Sequence, residues 1–187
     1  IHICIRANER FSDSFDLKFN FEYQSNSTQP AYSSELPSIL FIHQYNANYL
    51  SNQYSELVLS GMNYDEQKNY LLSKYAIKSD FYSFQFKQLS CRTDDIIVNC
   101  PELQHAWASE RESDLGMEEL IYSQVNAFAP DVIFIDDISQ YDYQTIIFLK
   151  NKCRLLIGEI FNPPNNYHTL AEMDLVLSTN PQIIELL

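Results

Sequence analysis

The sequence predicts an α/β fold, a doubly wound, parallel, Rossmann-like sheet of about five strands preceded by a small antiparallel β-appendage. Three observations carry this. Short apolar runs recur along the chain (SILFIH, DIIVN, PDVIFIDD, RLLIGE and DLVLST), and none alternates polar with apolar residues. Strands that read this way are covered on both faces, as in a parallel sheet between helix layers. Helical stretches separate the runs, and five strand–helix alternations joined by right-handed crossovers wind a sheet in both directions. The 187 residues are also 45% hydrophobic, enough for a packed core.

The elements follow in order. Residues 1–36 read differently from the rest. FDLKFNFEY alternates strictly, with Phe15, Leu17, Phe19, Phe21 and Tyr23 on one face, and IHICIR repeats the pattern with Ile1, Ile3 and Ile5. Period-two alternation signals half-buried strands. ANERFSDS suits a hairpin loop, and QSNSTQPAYSSELP reads as a linker. Residues 1–36 are therefore a β-hairpin appendage or the end of a preceding β-domain, and residues 37–187 are the Rossmann-like domain.

Within that domain SILFIH is the first strand. Asn63 to Ser90 reads as helical, with Asn63 and Glu66 spaced as a capping box. DIIVN is the second strand. CPELQHAWASERE starts a helix with Pro101 in its first turn, where a missing N–H costs nothing. GMEELIYSQVNAF continues helical, with Met117, Leu120, Ile121, Val125 and Phe128 on one stripe. PDVIFIDD is the third strand, followed by a helix over SQYDYQTIIFLKNK with Ser139 and Asp142 as cap partners. RLLIGE and DLVLST are the fourth and fifth strands, and Asn180 and Pro181 open a last helix.

Composition excludes several function classes. Lys plus Arg number 12 against 25 for Asp plus Glu, a net charge of −13. A nucleic-acid backbone needs basic contacts, so no nucleic-acid partner is expected. The three glycines, Gly61, Gly116 and Gly158, are too dispersed for a GxGxxG turn or a P-loop, and no cofactor is expected. Cys4, Cys91, Cys100 and Cys153 form no CxxC pair, so a metal site is not expected either. Four dispersed thiols fit a reduced, cytoplasmic protein. No apolar run approaches the ~18 residues that span a bilayer, so no transmembrane segment is expected. IHICIRANER lacks the apolar stretch of a signal peptide, although one removed ahead of Ile1 stays open.

Ligands of open α/β sheets bind beyond the carboxyl ends of the strands. That singles out His43, Gln44 and Tyr45 after the first strand, Asn99 and Cys100 after the second, Asp136 and Asp137 after the third, and Glu159 to Asn166 after the fourth. His43 and Asp136 are the catalytic candidates. A histidine titrates near neutrality and can take a hydroxyl proton, and a carboxylate can do so or orient the imidazole. The bland alternatives are a loop histidine bonded to backbone and, for Asp137, a helix cap. Gln44, Tyr45, Asn99, Asp137, Glu159 and Asn162 are the substrate-binding candidates. His105 reads as a surface or packing residue, His168 as a possible lining of the same cleft, and His2 has no visible partner. PDVIFIDD suggests a phospho-acceptor strand, but SILFIHQYN has no acidic pair and LVLSTNPQ has no lysine, so that chemistry lacks its partners. Gly158, at a strand end, permits close approach by a ligand or another chain.

From about Ser38 onward the chain resembles the N-terminal, acceptor-side domain of a bacterial glycosyltransferase of the GT-B architecture. The resemblance rests on SILFIHQYNANYL, SDFYSFQFKQL, DDIIVNCPELQHAWASE, PDVIFIDD, RLLIGEIFNPP and MDLVLSTNPQIIELL, about four-fifths of the chain. Asn99, Leu103, Gln104 and Trp107 are its most distinctive residues, and Glu159 and Phe161-Asn162 depart from the pattern. The resemblance implies a sugar acceptor as partner. It also implies a nucleotide-sugar donor held by a C-terminal domain whose glycine-rich loop is absent here, so this chain alone is expected not to transfer sugar. The competing expectation is a non-catalytic binding or assembly domain, making a protein contact through the apolar face of Phe15 to Tyr23.

Overall fold

The computed structural model describes residues 4–7, 36–55, 59, 61–74, 80–163 and 167–185. Six strands form one sheet: β1 (Cys4–Ala7), β2 (Ser38–His43), β3 (Arg92–Ile97), β4 (Val132–Ile135), β5 (Leu155–Glu159) and β6 (Leu175–Ser178), in the order β1-β6-β5-β4-β2-β3. β2 to β6 are all parallel. β1 lies antiparallel on the outer edge of β6, with Ala7 opposite Leu175. The expected strand over Phe15 to Tyr23 lies outside the described residues. Counted alone, the parallel strands run 2-1-3-4-5, a common doubly wound order. The chain moves outward from β2 to β3, then returns across β2 to β4. The sheet therefore changes winding direction between β2 and β4.

Helices cover both faces. Leu40 and Ile42 share a face with Ile133, Ile135, Leu156 and Val176, and this face packs against Val125 of α5 (Met117–Phe128) and Ile146 and Leu149 of α6 (Tyr143–Lys150). The other face presents Phe41, whose ring lies 6.3 Å from Tyr82 and 6.1 Å from Phe86 of α3 (Phe81–Gln88). A second apolar cluster wraps the β3 side. It joins Ile97 and Tyr45 to Leu50 of α1 (Ala47–Ser55), Leu71 of α2 (Tyr64–Lys74) and Leu103 of α4 (Pro101–Ser109). Two short helices, α7 (His168–Ala171) and α8 (Pro181–Ile184), flank β6. Among the described residues no helix is long and apolar enough to cross a membrane.

Local sequence rules explain several helix starts. Asn63 Oδ1 accepts from Glu66 N (2.9 Å), and Glu66 Oε2 accepts from Asn63 N (2.9 Å), the reciprocal pair expected. Asn63→Ala removes half of it, and a loss of about 1 kcal/mol in urea unfolding is expected. Asn180 caps α8 with Pro181 in the first turn, also as expected.

Three helical boundaries differ from the sequence reading. The stretch from Asn63 to Ser90 holds two helices, α2 and α3, and α4 and α5 are separate. The helix expected from Ser139 starts instead at Tyr143. Asp137 caps a single 3₁₀ turn, Ile138–Gln140, by accepting from Ser139 N (3.1 Å), and Asp142 then caps α6 by accepting from Thr145 N (2.7 Å). Two competing acidic caps in succession break the segment into two starts. α1 was not expected at all. Its sequence is polar, and only Leu50 of it is buried.

Candidate functional site

Strand parity builds the site. His43 ends β2 on the same face as Phe41, because alternate residues of a strand share a face. Phe41 pairs in register with Asp95 of β3, and Ile42 with Ile135 of β4, which sets Asp136 beside His43. Three titratable residues from three adjacent strands thus meet at the carboxyl edge, at the β2/β4 switch point. His43 Nε2 donates to Asp95 Oδ1 at 2.9 Å, and His43 Nδ1 lies 3.5 Å from Asp136 Oδ2. The three side chains are 3–6% exposed, so water reaches none of them freely.

That arrangement sets the charge on the imidazole. Burial alone would push the His43 pKa down, but the hydrogen bonds and negative charges of Asp136 and Asp95 outweigh it and raise the value to about 9. His43 is therefore protonated at neutral pH and has no lone pair to offer a hydroxyl. It balances two carboxylates that would otherwise be buried together.

Those carboxylates and their neighbours fix the loop after β2. Asp136 Oδ1 and Oδ2 accept from Gln44 N at 3.3 and 3.4 Å. Asn99 holds both backbone groups of Tyr45, accepting from its N at 2.9 Å and donating to its O at 2.6 Å. Val98 N donates to His43 O (3.0 Å). The Tyr45 ring is buried, edge-on to Tyr49 at 6.0 Å. The Gln44-Tyr45 turn is thus held from β3 and β4 together, which is what rigid positioning of a ligand-facing residue requires.

Beside this turn a cleft of about 300 Å³ opens between the starts of α5 and α6. Ile42, Val98, Ile121 and Leu149 form its apolar floor, and Gln44, Asn99, Glu118, Tyr122, Tyr141 and Asp142 its polar wall. Of the sequence candidates, Gln44 and Asn99 line the cleft, while His43 and Asp136 lie buried at the strand ends next to it. Tyr45 packs into the second apolar cluster. Asp137 caps the 3₁₀ turn. Glu159 reaches the α3 side of the sheet, where Tyr82 donates to it at 3.5 Å. Asn162 is exposed in the loop after β5 and His168 opens α7; neither lines the cleft.

Sequence reasoning missed Asp95, Glu118, Tyr122, Tyr141 and Asp142 as site residues. Asp95 carried a usable signal: a charge inside an apolar strand needs a buried partner. Gly158 proves to be a packing residue. A Cβ there would meet Ile138 Cγ1 at 2.3 Å and Met173 Cε at 2.8 Å, so the close approach it permits is by the protein's own 3₁₀ turn.

Among the described residues no group of three or more His, Cys, Asp and Glu is placed to hold a metal ion. Compared with known proteins, the chain matches no family model, no curated protein and no solved structure.

Proposed function

We propose that this domain is the acceptor-side half of a glycosyltransferase acting on a nucleotide-sugar donor, with the cleft between α5 and α6 taking the acceptor. One observation carries the reading: a cleft of small-molecule size opens at the switch point of a doubly wound sheet, beside a turn clamped by Asn99 and Asp136. The resemblance of the strand and loop sequences to that family supplies the chemistry, by analogy. In this reading Gln44 and Asn99 contact the acceptor. His43, Asp95 and Asp136 position the turn, and the donor diphosphate is held by another domain. The free thiols Cys91, Cys100 and Cys153 support a reducing, cytoplasmic setting.

The test is binding measured separately for the two substrates. The chain is expected to bind simple saccharides weakly, to bind nucleotide sugars no better than the free nucleotide, and to transfer no sugar. Transfer by this chain alone, or no binding of any saccharide, would overturn the reading.

A second reading, a non-catalytic assembly domain, draws on α3. Phe81 and Phe84 are 66% and 49% exposed, and Tyr82, whose ring packs on Phe41 and Phe134 of the sheet, is still 47% exposed, an apolar patch of the kind that partner proteins cover. Loss of a protein partner on Phe81→Ser with saccharide binding intact would favour it.

A further inference from the structure

The cleft carries a charge pattern and a buried hydroxyl that the fold itself does not need. Tyr141 follows the 3₁₀ turn, and its hydroxyl is buried in the cleft wall, where it has the Gln44 side chain beside it but makes no hydrogen bond of good geometry. A buried hydroxyl in that state is costly and rare, and where it persists a functional role is the first explanation to test. Opposite it, the Tyr122 ring is held flat by stacking on Phe148 (centroids 3.9 Å apart, 24° between planes). Tyr122 also donates to Glu118 at 2.5 Å, which fixes that carboxylate on the rim.

The charge is one-sided. Glu118 and Asp142 line the cleft, and among the described residues no Lys, Arg or His does. Asp137 adds negative charge near the Tyr141 hydroxyl, while that of Asp136 is offset by the protonated His43. The N-termini of α5 and α6 open towards this region, but Glu118, Glu119 and Asp142 already answer their partial positive charge. In a chain of net charge −13, an anionic ligand would enter this cleft against a negative field that no cationic side chain of the described lining offsets.

We propose that the cleft selects a hydroxyl-rich ligand bearing no negative charge, favours an amino sugar over a neutral one, and excludes carboxylated or phosphorylated sugars. The Tyr141 hydroxyl and Gln44 meet ligand hydroxyls, the Tyr122 ring offers an apolar surface, and Glu118 and Asp142 receive the ammonium group. This rests on the cleft being the acceptor site, and it names the class of acceptor.

The experiment titrates the protein with glucosamine, glucose and glucuronate at low salt and follows amide chemical shifts. Glucosamine is expected to bind most tightly and glucuronate most weakly, with about tenfold between the extremes, and added salt is expected to narrow the gap. Glu118→Gln with Asp142→Asn is expected to remove most of the preference for glucosamine while glucose binding stays within about twofold, since asparagine keeps the α6 cap. Tyr141→Phe is expected to weaken all three alike, with circular dichroism confirming the fold. Equal binding of the three sugars, or a preference for glucuronate, overturns the charge selection while leaving an acceptor site standing. No binding of any of them overturns both.

Discussion

Replacing His43 with alanine is expected to remove about 3–5 kcal/mol of stability, the usual loss when one partner of a buried ion pair is deleted. The geometry says why the effect is large. Asp95 and Asp136 would be left facing each other across the end of β2 with no cation between them, each only a few per cent exposed. A domain has about 5–15 kcal/mol in total, so the variant sits near the edge of unfolding. Urea denaturation of His43→Ala measures the loss. Adding Asp95→Asn to it removes one uncompensated charge and is expected to restore part of the stability. A double variant less stable than His43→Ala would show that charge balance is not what His43 supplies.

The same histidine fixes the sign of a pH dependence. Its folded pKa of about 9 lies above the ordinary value of 6.5. The native state therefore binds this proton more tightly than the unfolded chain does. Its contribution is fully present below pH 6.5 and is lost as pH rises through about 9. Melting temperatures taken across that window are expected to fall for the wild type and to stay flatter for His43→Gln. Parallel profiles for the two proteins would mean that His43 is not protonated in the native state.

How much of this was legible in the sequence follows from the range of the interactions. The five parallel strands were readable because burial on both faces leaves an unalternated apolar run, a local signal. The Asn63–Glu66 box and the Asn180-Pro181 start were readable for the same reason, since a cap spans only three residues. α1 has a cap of the same kind, Asn46, which accepts from Asn48 N and Tyr49 N, but one buried leucine in nine residues sets no apolar period to go with it. The break between α4 and α5 carried a local signal, Ser113, Asp114 and the N-cap Gly116, that a reading by apolar stripe alone passes over. Of the charged cluster, His43 and Asp136 were found because both end strands next to the switch point. Asp95 was not, because its contact depends on the register of β3 against β2. A slip of one residue there would have turned it to the opposite face. Tyr141 and Asp142 were hidden by the helix boundary: read as interior to one helix, they did not point at a cleft.

Gly158→Ala is expected to destabilise the protein by about 1–3 kcal/mol, the range for forcing an extra methyl group into a packed core. The backbone conformation tolerates alanine, since no glycine has a positive φ. The cost comes from contact alone. The added Cβ would sit 2.3 Å from Ile138 Cγ1 and 2.6 Å from its Cδ1, with Met173 Cε at 2.8 Å on another side. Met173 has a flexible end and can give way. Ile138 is fully buried and leads the 3₁₀ turn that Asp137 caps, so it moves only if the turn moves. That turn carries the chain directly into Tyr141 and Asp142, two residues of the cleft wall. The substitution is thus expected to weaken saccharide binding as well as stability, although Gly158 lines no part of the cleft. Ile138→Ala removes both Cγ1 and Cδ1. Combined with Gly158→Ala, it is expected to cost less than the sum of the two single losses, because the new methyl group then enters the space the isoleucine leaves. Strict additivity of the two losses would place the strain elsewhere and break the link from Gly158 through Ile138 to the cleft.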